Sequence, residues 1–149
     1  MNLFRDKKIV VTGGSGMIGT HMISKLLELG AEVKTHTHKK PLRIQDDRIQ
    51  VLENIDLTNL DDCLGLIAGS DYVIHLAGMI ANPKSVPTDF QVALNQITCF
   101  TNVLEASREC EVEKFVDLNS GTGYPLRDRP LHEDEFWDDE PYISYYNYN

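Results

Sequence analysis

Three glycines at intervals of three, Gly13, Gly16 and Gly19, lie in the run TGGSGMIG between the apolar segment KIVVT and a stretch with helical spacing of apolar residues. Glycines in that context suit a tight strand-to-helix turn: the first permits the turn, the second lets backbone approach a pyrophosphate, and the third lets helix pack closely on strand. Gly14, Gly16 and Gly19 also satisfy GxGxxG. The anion would then meet the free N–H groups at the helix N-terminus. A bare glycine turn is the competing reading, and the flanking strand and helix patterns weigh against it.

The second cluster lies about 20 residues on, where an NAD site places an Asp or Glu for the ribose hydroxyls. Here the stretch reads KTHTHKK and contains no carboxylate. Thr37, His38, Lys39 and Lys40 offer hydroxyl, imidazole and ammonium groups suited to a 2′-phosphate, so the expected cofactor is NADP, with NAD as the alternative. Arg43 extends the same patch, which could otherwise be a solvated loop.

These groups need a scaffold. Lys8 to Thr12, Ala31 to Thr37, Ile49 to Leu52, Asp71 to Leu76 and Lys114 to Leu118 read as strands. Between them lie helix patterns at Met17 to Leu29, closed by Gly30, at Leu60 to Ala68, closed by Gly69, and at about Phe90 to Glu109. Val92, Leu94, Ile97, Phe100, Val103 and Leu104 mark the expected apolar side of the last. Strands alternating with helices imply parallel βαβ units with right-handed crossovers: an α/β fold with a doubly wound parallel sheet, Rossmann-like.

The 149 residues amount to one domain, enough to bury roughly 70% of the unfolded surface. The net charge is −9, but Glu133 to Glu140 (EDEFWDDE) supplies six of those negative charges, and this acidic run reads as a solvated loop. No basic face of the kind a duplex requires is visible, so nucleic acid is not an expected partner. No apolar run reaches the roughly 20 residues of a membrane span, and no signal peptide precedes the first strand. Cys63, Cys99 and Cys110 are odd in number and widely spaced, which argues against a disulfide framework or a zinc site and fits a reducing cytoplasm.

Five motifs in order, TGGSGMIG at Thr12 to Gly19, DLTNLDD at Asp56 to Asp62, HLAG at His75 to Gly78, Asn95 within LNQITCFTNVLEAS and FVDLNSGTGYP at Phe115 to Pro125, span nearly the whole chain. With them the sequence resembles the extended short-chain dehydrogenase/reductase family of NAD(P)-dependent sugar-nucleotide epimerases, dehydratases and reductases. GYP, PTDF at Pro87 to Phe90 and the stretch before Asn95 are most similar to its GDP-fucose synthase branch, and a 4-epimerase is the other branch the motifs allow.

The resemblance implies a cofactor site of Gly13, Ser15, Gly16, Met17, Ile18 and Gly19 around the phosphates. Thr37, His38 and Lys39 would lie at the ribose, Asp56 and Leu57 at the adenine, and Leu76, Ala77, Gly78, Asn95 and Leu118 towards the nicotinamide. Asp56 could instead cap the helix that follows it. His75, inside an apolar strand, reads as a satisfied core histidine.

The family's catalytic group is a Ser or Thr, a Tyr and a Lys four residues after that Tyr. Ser120, four residues before Tyr124, takes the serine role, its hydroxyl on the reacting sugar oxygen, against a loop serine bonding its own backbone. Tyr146 and Tyr148 are the tyrosine candidates. Tyr142 is followed four places on by Tyr146, and Tyr145 by Asn149, so neither has the lysine. A free phenol, with a pKa of about 10, needs a nearby cation to act near neutrality.

Residues 1–149 are thus expected to be the NAD(P)-binding domain at the start of a longer enzyme whose C-terminal substrate lobe is absent, and inactive alone. The expected substrate is a nucleotide sugar, a GDP-sugar above others, and the expected assembly a homodimer. A catalytically silent NADP-binding module and a reductase of lipid or phenolic carbonyls are the rival readings.

Overall fold

The computed structural model describes residues 3–37, 40–78, 89–119 and 124–138. Ser120, Tyr146, Tyr148, His38 and Lys39 lie outside the described residues, as do Asp139 and Glu140 of EDEFWDDE. The chain divides into two compact units, Met1–Met79 with Thr98–Leu118, and Ile80–Ile97 with Asn119–Asn149.

The first unit is built on a parallel sheet of β1 (Lys8–Val11), β2 (Glu32–Thr37), β3 (Ile49–Glu53), β4 (Tyr72–His75) and β5 (Lys114–Asp117). The strand order is β3-β2-β1-β4-β5. Chain direction across the sheet therefore reverses between β1 and β4, the switch point at which open α/β sheets bind ligands. The fold is Rossmann-like, and the five strands agree with the sequence pattern to within a residue at each end.

Both faces of β1 are buried, which is why KIVV is uninterrupted rather than alternating. Ile9 and Val11 join Val33 on one face under α1 (Met17–Glu28), packed by Ile23, Leu26 and Leu27. Val10 and Val73 lie on the other face under α2 (Leu60–Ile67) and the part of α3 (Asp89–Glu109) that includes Val103 and Ala106.

Helix α1 stops because Gly30 adopts φ +91°. Its N–H donates to the Leu27 carbonyl and that of Ala31 to the Leu26 carbonyl, the paired Schellman bonds that satisfy a helix C-terminus. Two details of the expected helices differ. Met17 and Ile18, apolar residues at the start of the helix pattern from Met17 to Leu29, are 79% and 47% exposed. On α3, Leu94, Ile97 and Leu104 are also exposed, and Val92, Ala93, Val103 and Ala106 are the buried positions.

In the second unit, Glu133–Trp137 forms a 3-10 helix rather than a loop. Its His132 cap and Arg129, which pairs with Glu135, hold the Glu135 carboxyl down at about 2. Glu133 and Asp134 remain exposed, so the run is a solvated face. Tyr124 packs edge-on against Phe136, ring centroids 4.9 Å apart.

Candidate functional site

The turn between β1 and α1 is fixed by close approaches that only glycine allows. Gly13 takes φ +69°, and a Cβ there would lie 2.8 Å from the Leu76 carbonyl oxygen of the strand-end segment beyond β4. A Cβ at Gly19 would collide with the Gly13 carbonyl, and one at Gly14 with the side chains of Thr35 and Ile23. Gly16 is different: a Cβ there would meet only the Gly13 oxygen, at 3.1 Å, and otherwise open space.

That open space lies at the start of α1. Gly16 is its N-cap and offers no side-chain cap. The Gly16 N–H donates to Gly13 at 2.9 Å, whereas the N–H groups of Met17, Ile18 and Gly19 have no partner among the described residues. Ser15, half-buried beside them, has a hydroxyl with no partner among the described residues. A helix N-terminus with unspent donors, no side chain in front of it and the positive end of the helix dipole fits a pyrophosphate.

Behind the turn, Thr12 ties the two strands at the switch point together. Its Oγ1 accepts from the N–H groups of Leu76 and Ala77, both at 3.1 Å. With its lone pairs so used, the single hydroxyl proton goes to Nδ1 of His75, 2.8 Å away. His75 is therefore the neutral tautomer with hydrogen on Nε2. Burial among Phe100 and Phe115 pulls its pKa down to about 4. It is a core histidine that holds structure, as the apolar strand implies. Leu76 and Ala77 are half-buried and Gly78 is exposed, so the backbone leaving β4 is set by Thr12 and runs beside the glycine turn.

At the end of β3, Asp56 accepts from the backbone N–H and hydroxyl of Thr58 at 2.9 and 2.8 Å. The N-cap of α2 is Asn59, whose side chain accepts from Asp61 and Asp62. Capping is thus not the role of Asp56. Leu57 is 5% exposed, its side chain in the core and its carbonyl accepting from Asn102. Leu118 follows β5, exposed, with its N–H on the His75 carbonyl at 3.2 Å. Asn95 is on the part of α3 that belongs to the second unit.

The corner at the end of β2 holds a group the sequence did not bring into view. Thr37 ends β2, and its neighbour His36, 8% exposed, accepts from the Gly13 N–H through Nε2 at 3.4 Å. The parallel register pairs Thr37 with Glu53, the last residue of β3. A carboxylate therefore does stand beside the end of β2, delivered by the next strand. The sequence signal was present as ENID directly after the third strand, but only the register assigns it to this corner.

The profile of the NAD dependent epimerase/dehydratase family matches residues 9–148. The chain belongs to that family. It is 28% identical over 145 residues to GDP-mannose 3,5-epimerase 1 of Oryza sativa subsp. japonica, covering 93% of this chain and 38% of that protein. A 3 beta-hydroxysteroid dehydrogenase/Delta 5-->4-isomerase of Mycobacterium tuberculosis (strain CDC 1551 / Oshkosh) is 28% identical over 120 residues, 77% of this chain and 32% of the relative. Among solved structures, an epimerase of Methanothermobacter thermautotrophicus superposes with a TM-score of 0.78 at 26% identity, over 90% of this chain and 42% of that one. The chain thus spans less than half the length of these relatives. A nicotinamide cofactor is the ligand of this family, and the unspent donors of α1 and the open space at Gly16 fit it. Among the described residues no helix is long and apolar enough to cross a membrane.

Proposed function

We propose that these residues are the cofactor-binding part of a sugar-nucleotide epimerase, dehydratase or reductase that takes NADP(H) in preference to NAD(H). The observation that carries the reading is the start of α1, where the Met17, Ile18 and Gly19 N–H groups are unspent and Gly16 leaves the space before them open. When bound, the nicotinamide supplies the hydride acceptor and donor. The chain's own residues bind and orient: the α1 N–H groups and Ser15 hold the pyrophosphate, and Asp56 with the Leu57 main chain borders the adenine. Thr37, His38, Lys39 and Lys40 receive the 2′-phosphate. Leu76, Ala77, Gly78, Asn95 and Leu118 border the path to the reacting carbon, Ser120 orients the sugar oxygen, and Tyr146 or Tyr148 moves the proton.

The relative that acts on GDP-mannose supports a nucleotide-sugar substrate, with a GDP-sugar of the GDP-fucose synthase kind as the first choice. The outer edge of β5, which pairs with no strand among the described residues, and the exposed Val116 suit a homodimer, and the free thiols of Cys63, Cys99 and Cys110 suit a reducing cytoplasm. The mycobacterial steroid dehydrogenase supports a second reading, a dehydrogenase of lipid carbonyls and alcohols.

Fluorescence titration with NADPH and NADH tests the cofactor reading. Tighter NADPH binding is expected, equal affinity or an NADH preference overturns the NADP assignment, and failure to bind either overturns the whole reading. GDP-, UDP- and dTDP-sugars, and a 3β-hydroxysteroid, assayed with the full-length gene product separate the two substrate classes.

A further inference from the structure

The corner where β2 and β3 end contains a cavity of about 450 Å³ lined by Thr37, Lys40, Pro41, Leu42, Gln45 and Glu53 among others. Its two charged groups among the described residues are of opposite sign. Lys40 and Glu53 are both exposed, and no ion pair joins them among the described residues. Thr37 and Glu53 are Cα partners on neighbouring parallel strands, about 4.8 Å apart in the usual spacing, so their side chains rise from the same face of the sheet. The preceding pairs Thr35 with Val51 and Val33 with Ile49 share that face, which is the α1 side. The glycine turn opens onto the same edge of the sheet, because His36, one residue before Thr37, receives the Gly13 N–H.

A dinucleotide with its pyrophosphate at α1 lays its adenosine ribose over the end of the second strand. The 2′ position then faces Thr37, between an ammonium on one side and a carboxylate on the other. We infer that Glu53 is a specificity-determining residue of this cofactor site: it accepts from the ribose hydroxyls of NAD(H) and repels the 2′-phosphate of NADP(H), opposing Lys40. This rests on the cofactor reading above. The sequence alone points to a strong NADP(H) preference, since the stretch from Lys34 to Lys40 at the end of β2 carries no acidic residue. Glu53 narrows that preference and makes the site usable by both cofactors.

The experiment titrates NADPH and NADH into the 149-residue chain and its Glu53→Gln, Glu53→Lys and Lys40→Gln variants, at low and high salt, with thermal melting to confirm each fold. Glu53→Gln is expected to tighten NADPH about three- to tenfold, as removal of one partly screened charge near a phosphate would. It is expected to weaken NADH several-fold, through loss of a charged acceptor for the hydroxyls. Glu53→Lys extends the first effect, and Lys40→Gln moves the NADPH affinity the opposite way. The gain in NADPH affinity shrinks at high salt, whereas the loss for NADH persists. If Glu53→Gln changes both affinities alike or neither, and Glu53→Lys does not favour NADPH, Glu53 does not select the cofactor. Failure of the unsubstituted chain to bind either cofactor removes the parent reading and this inference together.

Discussion

The two corners of the proposed cofactor edge are built on different physics. At the glycine turn, geometry is over-determined: Gly13, Gly14 and Gly19 each lack a side chain because backbone or buried side chains already occupy its place. At the ends of β2 and β3, exposed side chains of both signs border open solvent, and charge balance rather than shape sets the outcome. A site of this kind binds the constant part of its ligand with backbone and tunes the variable part with side chains. Substitutions in the first corner should therefore disrupt folding or abolish binding, and those in the second should shift ratios.

The largest effect separates two glycines three residues apart. Gly19→Ala forces a Cβ onto the Gly13 carbonyl and is expected to cost roughly 3 kcal/mol or more, read as a lowered midpoint in denaturant. Gly16→Val meets little protein, so the melting temperature should move far less. By filling the space before the α1 donors it should weaken either cofactor at least about a hundredfold, since two or more charged hydrogen bonds are lost. A Gly16→Val protein that binds NADPH normally would place the phosphate site elsewhere.

Next in size is Thr12→Val, which keeps the shape but strands the Leu76 and Ala77 N–H groups and Nδ1 of His75 in a buried place. About 2 to 3 kcal/mol of stability should be lost, with Thr12→Ser recovering most of it. Equal stability of the Val and Ser variants would show that the clasp is not needed.

A pH series tests the same clasp. His75 has a folded pKa of about 4, below the usual 6.5, so the unfolded chain binds more protons between those values. Stability contributed by neutral His75 is complete above about pH 6.5 and is lost as pH falls towards 4, by about 3 kcal/mol in all. Melting of the protein against a His75→Gln variant isolates this slope, because Asp46 and Glu135, whose carboxyls are held down at about 2, contribute at lower pH. Parallel curves for the two proteins would contradict it.

The smallest effect belongs to the charged corner. Lys40→Gln should weaken NADPH only a few-fold and leave NADH unchanged, with the difference fading in high salt. A loss shared by both cofactors would mean that Lys40 supports the loop rather than the 2′-phosphate.

How much of this was legible in the sequence follows the same division. The β1–turn–α1 unit could be read because its constraints are local: KIVV is apolar on both faces, the glycine spacing is fixed by one turn of backbone, and Gly30 closes the helix. Glu53 could not be assigned because its meaning depends on the pairing of β2 with β3, a register set by side chains on two strands and the loop between them. Thr12 gave no sign of its three partners for the same reason, since they come from the end of β4 and the two residues after it. On α3 the helix was evident but its faces were not, because Leu94, Ile97 and Leu104 satisfy helical spacing as well as the buried set does. Capping by Asp56, the alternative the sequence left open, falls instead to Asn59, an acceptor three residues on with the same chemistry for the role.

The Thr12–His75 bond spans 63 positions of sequence, and the β1–β4 pairing it secures is the least local in the inner sheet. By contrast β1, α1 and β2 adjoin one another along the chain and need only a short crossover to pair. Contacts of high sequence separation are reached late and slowly, because chain entropy must be surrendered before they give anything back. The β1–α1–β2 portion is thus expected to form early, with β4 docking onto it as the slow event. In a chevron plot, weakening the Thr12 clasp would then slow the refolding arm, while changes at Glu53 or Lys40 would leave the folding rate untouched. The switch point at which the cofactor is proposed to bind is also the seam whose closing sets the speed of assembly.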